Sequence, residues 1–493
     1  MTLNYLFWLL LILPALGSLL CYIFKSADAV MNFVAYGMSL LSALVFIFCY
    51  SVLKTGPVSF AGQWFYIDTL SALHLVVMAV IFGLNSLYAR IYFLNGPAGK
   101  PINLDTARKF GALWFGTLTA IELVLFSNNL GVMWVGLEAV TLITAFLICL
   151  HVTPVSLEAT WKYLIVCSVG VAFAFMGILL IGAASSFADK SSLRFLNWTE
   201  LKTHAASFDP KIIKLAFIFL FVGYGTKAGL APMHSWLPDA HSQAPAPVSA
   251  LFSGFLLNSA LYCIMRFIPI VEPAAGAAWV KHILLFFGLF SILVSAAFIV
   301  TQHNLKRLLA YCSVEHIGII TVGLGLGPLG AFAALFHSIN HSLAKTLSFW
   351  SAGHVGKIYG TYDMRNISGV LKTAPLWGIG LLGSSLALIG VAPFAIFLSE
   401  FFILKAAAQA KDYVTLALSL AGAGMIFIGM LRMVINMSYG AAQSTKNKTS
   451  VTFSEVVIVG IPLAALLILG LWMPQALRDV LTDAAKIIWS GNI

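Results

Sequence analysis

Three groups of titratable residues interrupt otherwise apolar runs, and their spacing suits the movement of protons. The first joins Glu138, in Met133-Trp-Val-Gly-Leu-Glu-Ala-Val-Thr-Leu142, with Lys227, in Gly223-Tyr-Gly-Thr-Lys-Ala-Gly-Leu-Ala-Pro-Met-His-Ser-Trp-Leu-Pro-Asp-Ala-His241. A lysine at the centre of a membrane helix costs roughly 2.5 to 3.5 kcal/mol on insertion scales. Lys227 stands near the end of an apolar run, just before Pro232 and Pro238 break the chain. Broken backbone at that depth is tolerated where it is buried in protein or faces a watery cavity. A Glu–Lys pair that opens and closes is a proton switch, because each charge sets its partner's proton affinity. The competing reading is a static buried pair that fixes helix register.

The second group is His337-Ser-Ile-Asn-His341-Ser-Leu-Ala-Lys345. Spacings of four put His337, His341 and Lys345 on one helical face, stacked over roughly 12 Å. Imidazoles exchange protons near neutral pH, and a buried lysine can join them. Ser338, Asn340 and Ser342 add polarity that holds water. The competing readings are a satisfied core histidine and a zinc site built on His-x3-His. No Cys or acid stands near enough in sequence to supply third and fourth ligands, so no metal is expected. The third group is Gly390-Val-Ala-Pro-Phe-Ala-Ile-Phe-Leu-Ser-Glu400, where Pro393 breaks a span and Glu400 follows. Glu400 reads equally as an exit group for protons or as a charge at a helix end. Glu122 and His74 are single polar residues in apolar helices and are expected to be hydrogen-bonded packing.

The elements that must position these groups are membrane helices. Of 493 residues, 60% are hydrophobic and 9% charged, against about 25% charged in soluble domains. Runs long enough to cross about 30 Å number about 14. They fall near 3–24, 29–53, 67–95, 110–128, 129–151, 156–185, 211–230, 245–270, 279–301, 308–327, 329–356, 375–410, 413–437 and 453–473. The chain is therefore expected to be an all-α polytopic membrane protein, one integral domain over 1–493. The overlong 375–410 run, interrupted at Gly390-Val-Ala-Pro393, is one discontinuous span. Among Lys and Arg, only Lys227 and Lys345 are expected clearly within spans, with Glu315 one or two turns inside the tenth. A lysine and a glutamate, each at a broken helix and five spans apart, suggest two inverted five-helix repeats, about 110–270 and 279–437.

Loop charges set the orientation. No Lys or Arg precedes Lys25, so the first run lacks the basic region of a secretory signal and should stay as the first span. Arg90, Lys100, Arg108 and Lys109 share the third connection, Lys306 and Arg307 the ninth, Lys446 and Lys448 the thirteenth. The positive-inside rule makes odd connections cytoplasmic and both termini external. The connection 186–211, with Asp189, Lys190, Arg194, Glu200, Lys202 and Asp209, is external and nearly neutral. The net charge of +10 is scattered over loops, so it argues for topology and against nucleic acid. Six Cys without a C-x-x-C pair argue against an iron–sulfur cluster, a zinc ribbon or a disulfide framework. There is no Walker A sequence and no G-x-G-x-x-G after a strand pattern, so redox and nucleotide chemistry belong to partners.

Taken together, Trp134-Val-Gly-Leu-Glu138, Lys227 with Pro232-Met-His-Ser-Trp-Leu-Pro-Asp239, Pro247-Val-Ser-Ala-Leu251, Lys306-Arg-Leu-Leu-Ala-Tyr311 and the His337/His341/Lys345 face carry a family resemblance. The chain resembles the antiporter-like proton-channel subunits of respiratory complex I, Mrp-type cation/proton antiporters and group 4 membrane-bound hydrogenases. Trp161-Lys-Tyr-Leu-Ile-Val-Cys-Ser-Val-Gly170, Gly223-Tyr-Gly-Thr-Lys227 and Ala244-Pro-Ala-Pro-Val-Ser-Ala-Leu-Phe-Ser-Gly254 resemble the hydrogenase-4 component F branch. The resemblance implies 14 helices with two inverted repeats, and broken helices meeting a hydrated axis. It implies Glu138 and Lys227 as the input pair, Lys345 with its histidines as central relay, and Glu400 at the exit. Ser253 replaces a titratable residue common in complex I relatives, so that step must use water or another group. Glu400 replaces the lysine of the longest relatives. The chain ends about 20 residues past its last span, which leaves no room for their long lateral helix.

The expected function is proton translocation in a redox-driven complex of the hydrogenase-4 or formate hydrogenlyase type, related to NADH:quinone oxidoreductase. The chain itself holds no catalytic centre and no cofactor. NiFe and iron–sulfur clusters are expected on a hydrogenase-like peripheral arm, beside other antiporter-like and small membrane subunits in a bacterial or archaeal inner membrane. An Mrp-type Na⁺/H⁺ antiporter subunit without a redox partner is the alternative, and an inert scaffold a third reading.

Overall fold

The computed structural model describes residues 2–94, 101–185, 193–441 and 451–489. Lys100, Asp189, Lys190, Lys446 and Lys448, used in the loop-charge argument, lie outside the described residues, as does the side chain of Arg194. The chain begins with α1 (Thr2–Leu20) and α2 (Ala27–Thr55), then a small antiparallel hairpin, β1 (Val58–Phe60) and β2 (Phe65–Ile67), in register Val58↔Ile67. α3 (Thr69–Leu94), α4 (Leu104–Phe126), α5 (Leu130–Ile148) and α6 (Pro154–Ala184) follow, then the short α7 (Trp198–Thr203). The first broken span is α8 (Pro210–Ala228) and α9 (Trp236–Gln243). The next is α10 (Ala246–Leu251) and α11 (Leu257–Ala275), joined by a π turn at Phe252–Leu256. α12 (Ala277–Ile299), α13 (Leu305–Gly325) and the 33-residue α14 (Gly327–Tyr359) come next. The second broken span is α16 (Pro375–Leu388) and α17 (Ala395–Gln409), preceded by the one-turn α15 (Val370–Thr373). α18 (Tyr413–Tyr439), α19 (Phe453–Leu471) and α20 (Gln475–Ile488) complete the chain.

Twelve of these segments are long and apolar enough to cross a membrane. α14 and the interrupted α16/α17 occupy the two other expected runs, 329–356 and 375–410. α14 falls short in hydropathy because of its polar stripe, and it is nearly all buried. It packs against α3, α10, α13, α16, α17, α19 and α20, so the titratable face sits at the centre of the molecule rather than toward lipid. The breaks fall at residues 229–235 and 389–394, with Pro232 and Pro393 in them; Pro238, expected to break the chain as well, lies in the first turn of α9, where a missing amide proton costs no helical hydrogen bond.

Local chemistry starts and stops the helices that matter. Asn129 caps α5 by accepting from the Gly131 and Val132 amides, and Asn304 caps α13 by accepting from Lys306 and Arg307. Each cap residue also makes an isolated antiparallel bridge, Asn129 with Asn197 and Asn304 with Asp363. The same order therefore occurs twice: an Asn-capped helix, a long helix, then a broken one.

Three sequence expectations change. Lys306 and Arg307 are not in a connection but in the first turn of α13, where Asn304 caps their amides. Arg266 lies inside α11, which runs five residues past the apolar run that marked it. The residues after the last span are not bare chain: α20 is amphipathic, with Leu481, Ala484, Ala485 and Ile488 buried against α3, α11 and α14.

Candidate functional site

Lys227 is wholly buried, in the last turn of α8. Gly229 ends that helix in the left-handed region, at φ 83°, where a side chain is costly. The Lys227 ammonium donates to the Tyr163 hydroxyl of α6 at 2.5 Å and lies 4.6 Å from its ring centre. Tyr163 Oη lies 2.6 Å from Thr144 Oγ1 of α5. Thr144 Oγ1 is itself 2.6 Å from the Val140 carbonyl, which can only accept, so the threonine's one proton is committed there. Tyr163 therefore accepts from Lys227 and donates to Thr144. α6 reaches this close because it crosses α8 on glycines. A Cβ on Gly170 would lie 2.7 Å from Thr226 Cβ, and one on Gly223 only 2.5 Å from the Ala174 nitrogen.

Glu138 sits on α5, half-buried, with Oε1 accepting from Ser168 Oγ at 2.7 Å. Its Oε2 is buried without a partner among the described residues. Glu138 and Lys227 are thus bonded to two residues of the same helix, Ser168 and Tyr163, and not to each other. Neither residue of α6 was singled out from sequence for this role. Their signal was a hydroxyl pair five residues apart in an apolar helix.

Lys345 is also wholly buried, and its Nζ donates to the Leu309 carbonyl of α13 at 2.8 Å. One helical turn up the same face of α14, His341 has both ring nitrogens buried and unpartnered among the described residues. His337, a further turn along, meets His316 of α13, with Nε2 2.9 Å from His316 Nδ1. His337 Nδ1 lies 2.9 Å from Ser399 Oγ of α17. The Ser399 hydroxyl is 2.9 Å from the Ile396 carbonyl and must donate to it. His337 Nδ1 is therefore the donor toward Ser399, its neutral-form Nε2 accepts, and His316 Nδ1 donates. The His316 ring also lies 5.2 Å from that of His341. His316 thus closes the gap between the two predicted histidines, although sequence reasoning had passed over it.

His316 Nε2 is buried without a hydrogen-bond partner among the described residues. Glu400, on α17, is half-buried. Its Oε2 would lie 2.4 Å from a Cβ on Gly390, whose φ is 69°. Gly390→Ala is expected to displace the carboxylate and to cost about 1–2 kcal/mol from the left-handed backbone alone. Thermal unfolding of the purified complex measures that cost.

Between the two clusters lie groups that also bear on a route. Ser253, in the π turn, shares a 2.7 Å hydrogen bond with Ser313 of α13. His241 is buried with both ring nitrogens unpartnered among the described residues, stacked on Phe349 at 4.7 Å. Lys306 caps α9, donating to the Ala244 carbonyl at 2.5 Å. Asp239 of α9 pairs with Lys162 of α6 at 3.1 Å and with Arg307 of α13. The broken segment is thereby tied to both halves of the molecule.

The two single polar residues part ways. His74 Nδ1 bonds the Leu70 carbonyl at 2.9 Å, as expected of packing. Glu122 is buried with neither oxygen partnered among the described residues, so the expected hydrogen bond is not made.

A further ion pair was missed. Asp68, just before α3, takes both terminal nitrogens of Arg266, at 2.6 and 2.7 Å. Arg266 also donates to Ser71 at 2.6 Å and Tyr262 at 2.9 Å. Burial opposes the charge on Asp68, and the guanidinium beside it prevails, holding the carboxyl below its usual range. A depressed carboxyl stabilises the fold above its unfolded pKa, about 3.9, and that support is lost as pH falls through the folded value. Asp68→Asn is expected to cost about 3–5 kcal/mol by stranding a buried guanidinium. Denaturation of the variant complex near neutral pH checks this.

Residues 127–426 match the sequence family described as NADH:quinone oxidoreductase/Mrp antiporter, TM. The hydrogenase-4 component F homolog of Methylacidiphilum infernorum (isolate V4) is 37% identical over 347 residues, covering 70% of this chain and 73% of that protein. The fold matches a chain in the Mrp complex from Dietzia sp. DQ12-45-1b with a TM-score of 0.87 at 20% identity, over 99% of this chain and 98% of that one. It matches a chain of the archaeal membrane-bound sulfane sulfur reductase with a TM-score of 0.86 at 24% identity, over 98% and 97%.

Proposed function

The chain belongs to the NADH:quinone oxidoreductase/Mrp antiporter transmembrane family, and from that premise we propose that it is the proton-translocating, antiporter-like subunit of a redox-driven membrane complex. The hydrogenase-4 or formate hydrogenlyase type is the one it fits best, given the similarity to a component F homolog. The observation that carries the reading is the pair of wholly buried lysines, Lys227 and Lys345, each held by a single oriented partner. A charge at that depth is an expense that ion pathways repay.

In this reading Glu138 and Lys227 form the input, and Tyr163 holds the proton of Lys227 while Glu138 is turned to Ser168. Movement of Glu138 toward or away from Lys227 changes that lysine's hold on its proton. Ser253, Ser313 and His241 with water lead toward Lys345. His341, His316 and His337 carry the proton on to Ser399 and Glu400. The two inverted repeats, about 110–270 and 279–437, each supply one broken helix to this axis. Moving one charge through the membrane field takes about 2.3 kcal/mol per 100 mV, so a partner's electron transfer must supply the work.

The NiFe and iron–sulfur cofactors of such a reaction sit on a peripheral arm, docked through other antiporter-like and small membrane subunits. The membrane is a bacterial or archaeal inner membrane, with both termini outside. A second reading, a cation/proton antiporter subunit without redox partners, is favoured by the full-length match to the Mrp complex chain. Mass spectrometry of what co-purifies from gently solubilised native membranes separates them. Redox subunits in the preparation support the first reading, and small hydrophobic subunits alone support the second.

A further inference from the structure

We propose that His316, His337 and Glu400 form a binding site for a divalent transition-metal cation of the zinc class. The three come from α13, α14 and α17, and one ligand atom from each lies within 4.8 Å of the others. Two imidazoles and a carboxylate, with a fourth position left to water, are a set that zinc accepts at about 2.0–2.2 Å per ligand. Nitrogen donors disfavour calcium and magnesium, which take oxygen.

The reading from α14 alone found no third ligand, because its two histidines were paired with each other. Folding replaces His341 by His316 and adds Glu400 from the far side of the second helix break. The surroundings of His337 match those of a metal-ligating histidine. Its Nδ1 donates to Ser399, and Ser399 is fixed by the Ile396 carbonyl, which leaves Nε2 free to ligate. The 2.9 Å separation of the facing His316 and His337 nitrogens must open by roughly 0.4 Å for tetrahedral ligation at that bond length. The proton that His316 carries on Nδ1 moves to Nε2, so the ring ligates through Nδ1 as a neutral imidazole.

Space beside the site lies on the Glu400 side. A cavity of about 40 Å³ is lined there by Glu400, Ile319, Val322, Ile403, Ser419 and Leu420, and the Ser419 hydroxyl is buried without a partner among the described residues. A metal on this set occupies both rings of the histidine path. It therefore blocks proton flow, a consequence that rests on the relay reading above.

The test uses the purified complex, with zinc and cobalt as probes. Zinc retained after desalting is expected to be one equivalent per complex higher for the native complex than for His337→Gln or Glu400→Gln. Cobalt is expected to give tetrahedral visible absorption only in the native complex. Ser399→Ala, which keeps all three ligands, is expected to weaken zinc binding roughly ten-fold or more. Equal zinc and unchanged cobalt spectra across native and variant complexes overturn the proposal. Zinc that binds as expected but leaves proton flux unchanged upholds the site and contradicts the relay. Loss of flux in His337→Gln with no difference in metal does the reverse.

Discussion

Lys227→Ala is expected to abolish coupled proton translocation in a complex that still assembles. A proton transfer assisted by a positioned group gains about 10²–10⁴-fold, so loss of the lysine should drop flux by roughly two orders of magnitude at least. Assembly should survive, because the ammonium makes one side-chain hydrogen bond, to Tyr163, and the glycine crossing of α6 on α8 does not depend on it. Lys227→Arg sharpens the test. A guanidinium stays charged at every working pH, so it preserves a static ion but cannot hand on a proton. Flux in the arginine variant near the native level identifies Lys227 as structural. Flux as low as in the alanine variant identifies it as a proton carrier. The measurement is acidification across proteoliposomes at a fixed rate of electron transfer.

His337→Gln should have an effect of similar size for a different reason. Glutamine keeps a donor and an acceptor for Ser399 and His316 but does not titrate. The two 2.9 Å contacts of His337 make it the link between α13 and α17, and with the link inert a proton reaches His316 and stops. Flux is expected to fall by roughly 10²-fold. Wild-type flux in this variant would mean that the oriented histidine path is not the route.

What the sequence made legible follows from the membrane's own rules. Lipid requires every backbone group to be satisfied within a helix, so apolar length located the twelve segments long and apolar enough to cross a membrane. Glycine with proline, at Gly229 to Pro232 and Gly390 to Pro393, marked the breaks, whereas Pro14, Pro269, Pro273 and Pro462 sit inside continuous helices. The polar stripe of α14 was readable because helical period puts residues four apart on one face. What was not legible depends on which helices cross. His316 and His337 are 21 residues apart on adjacent helices, and nothing in either run orients one toward the other. Tyr163 meets Lys227 because Gly170 and Gly223 let two backbones touch, a contact that glycine content hints at without assigning. Asp68 and Arg266 are 198 residues apart. Arg266 falls four residues from the end of the 245–270 run, and an apolar run does not show that its helix continues to Ala275. Lys306 was counted as loop for the opposite reason, since its helix begins earlier than the apolar run does. α20 escaped because its apolar residues are spaced for one face and never form a run.

The most direct test of the central claim is the number of protons translocated per electron by the reconstituted complex, compared with the same complex carrying Lys345→Ala. Lys345 is wholly buried on the central face and its ammonium donates to the Leu309 carbonyl, so in the proposed route its loss removes a proton carrier. The account predicts that electron transfer persists in the variant while protons per electron fall, by the share of flux this subunit carries. An unchanged ratio, with electron transfer and assembly intact, would show that protons do not pass through this chain.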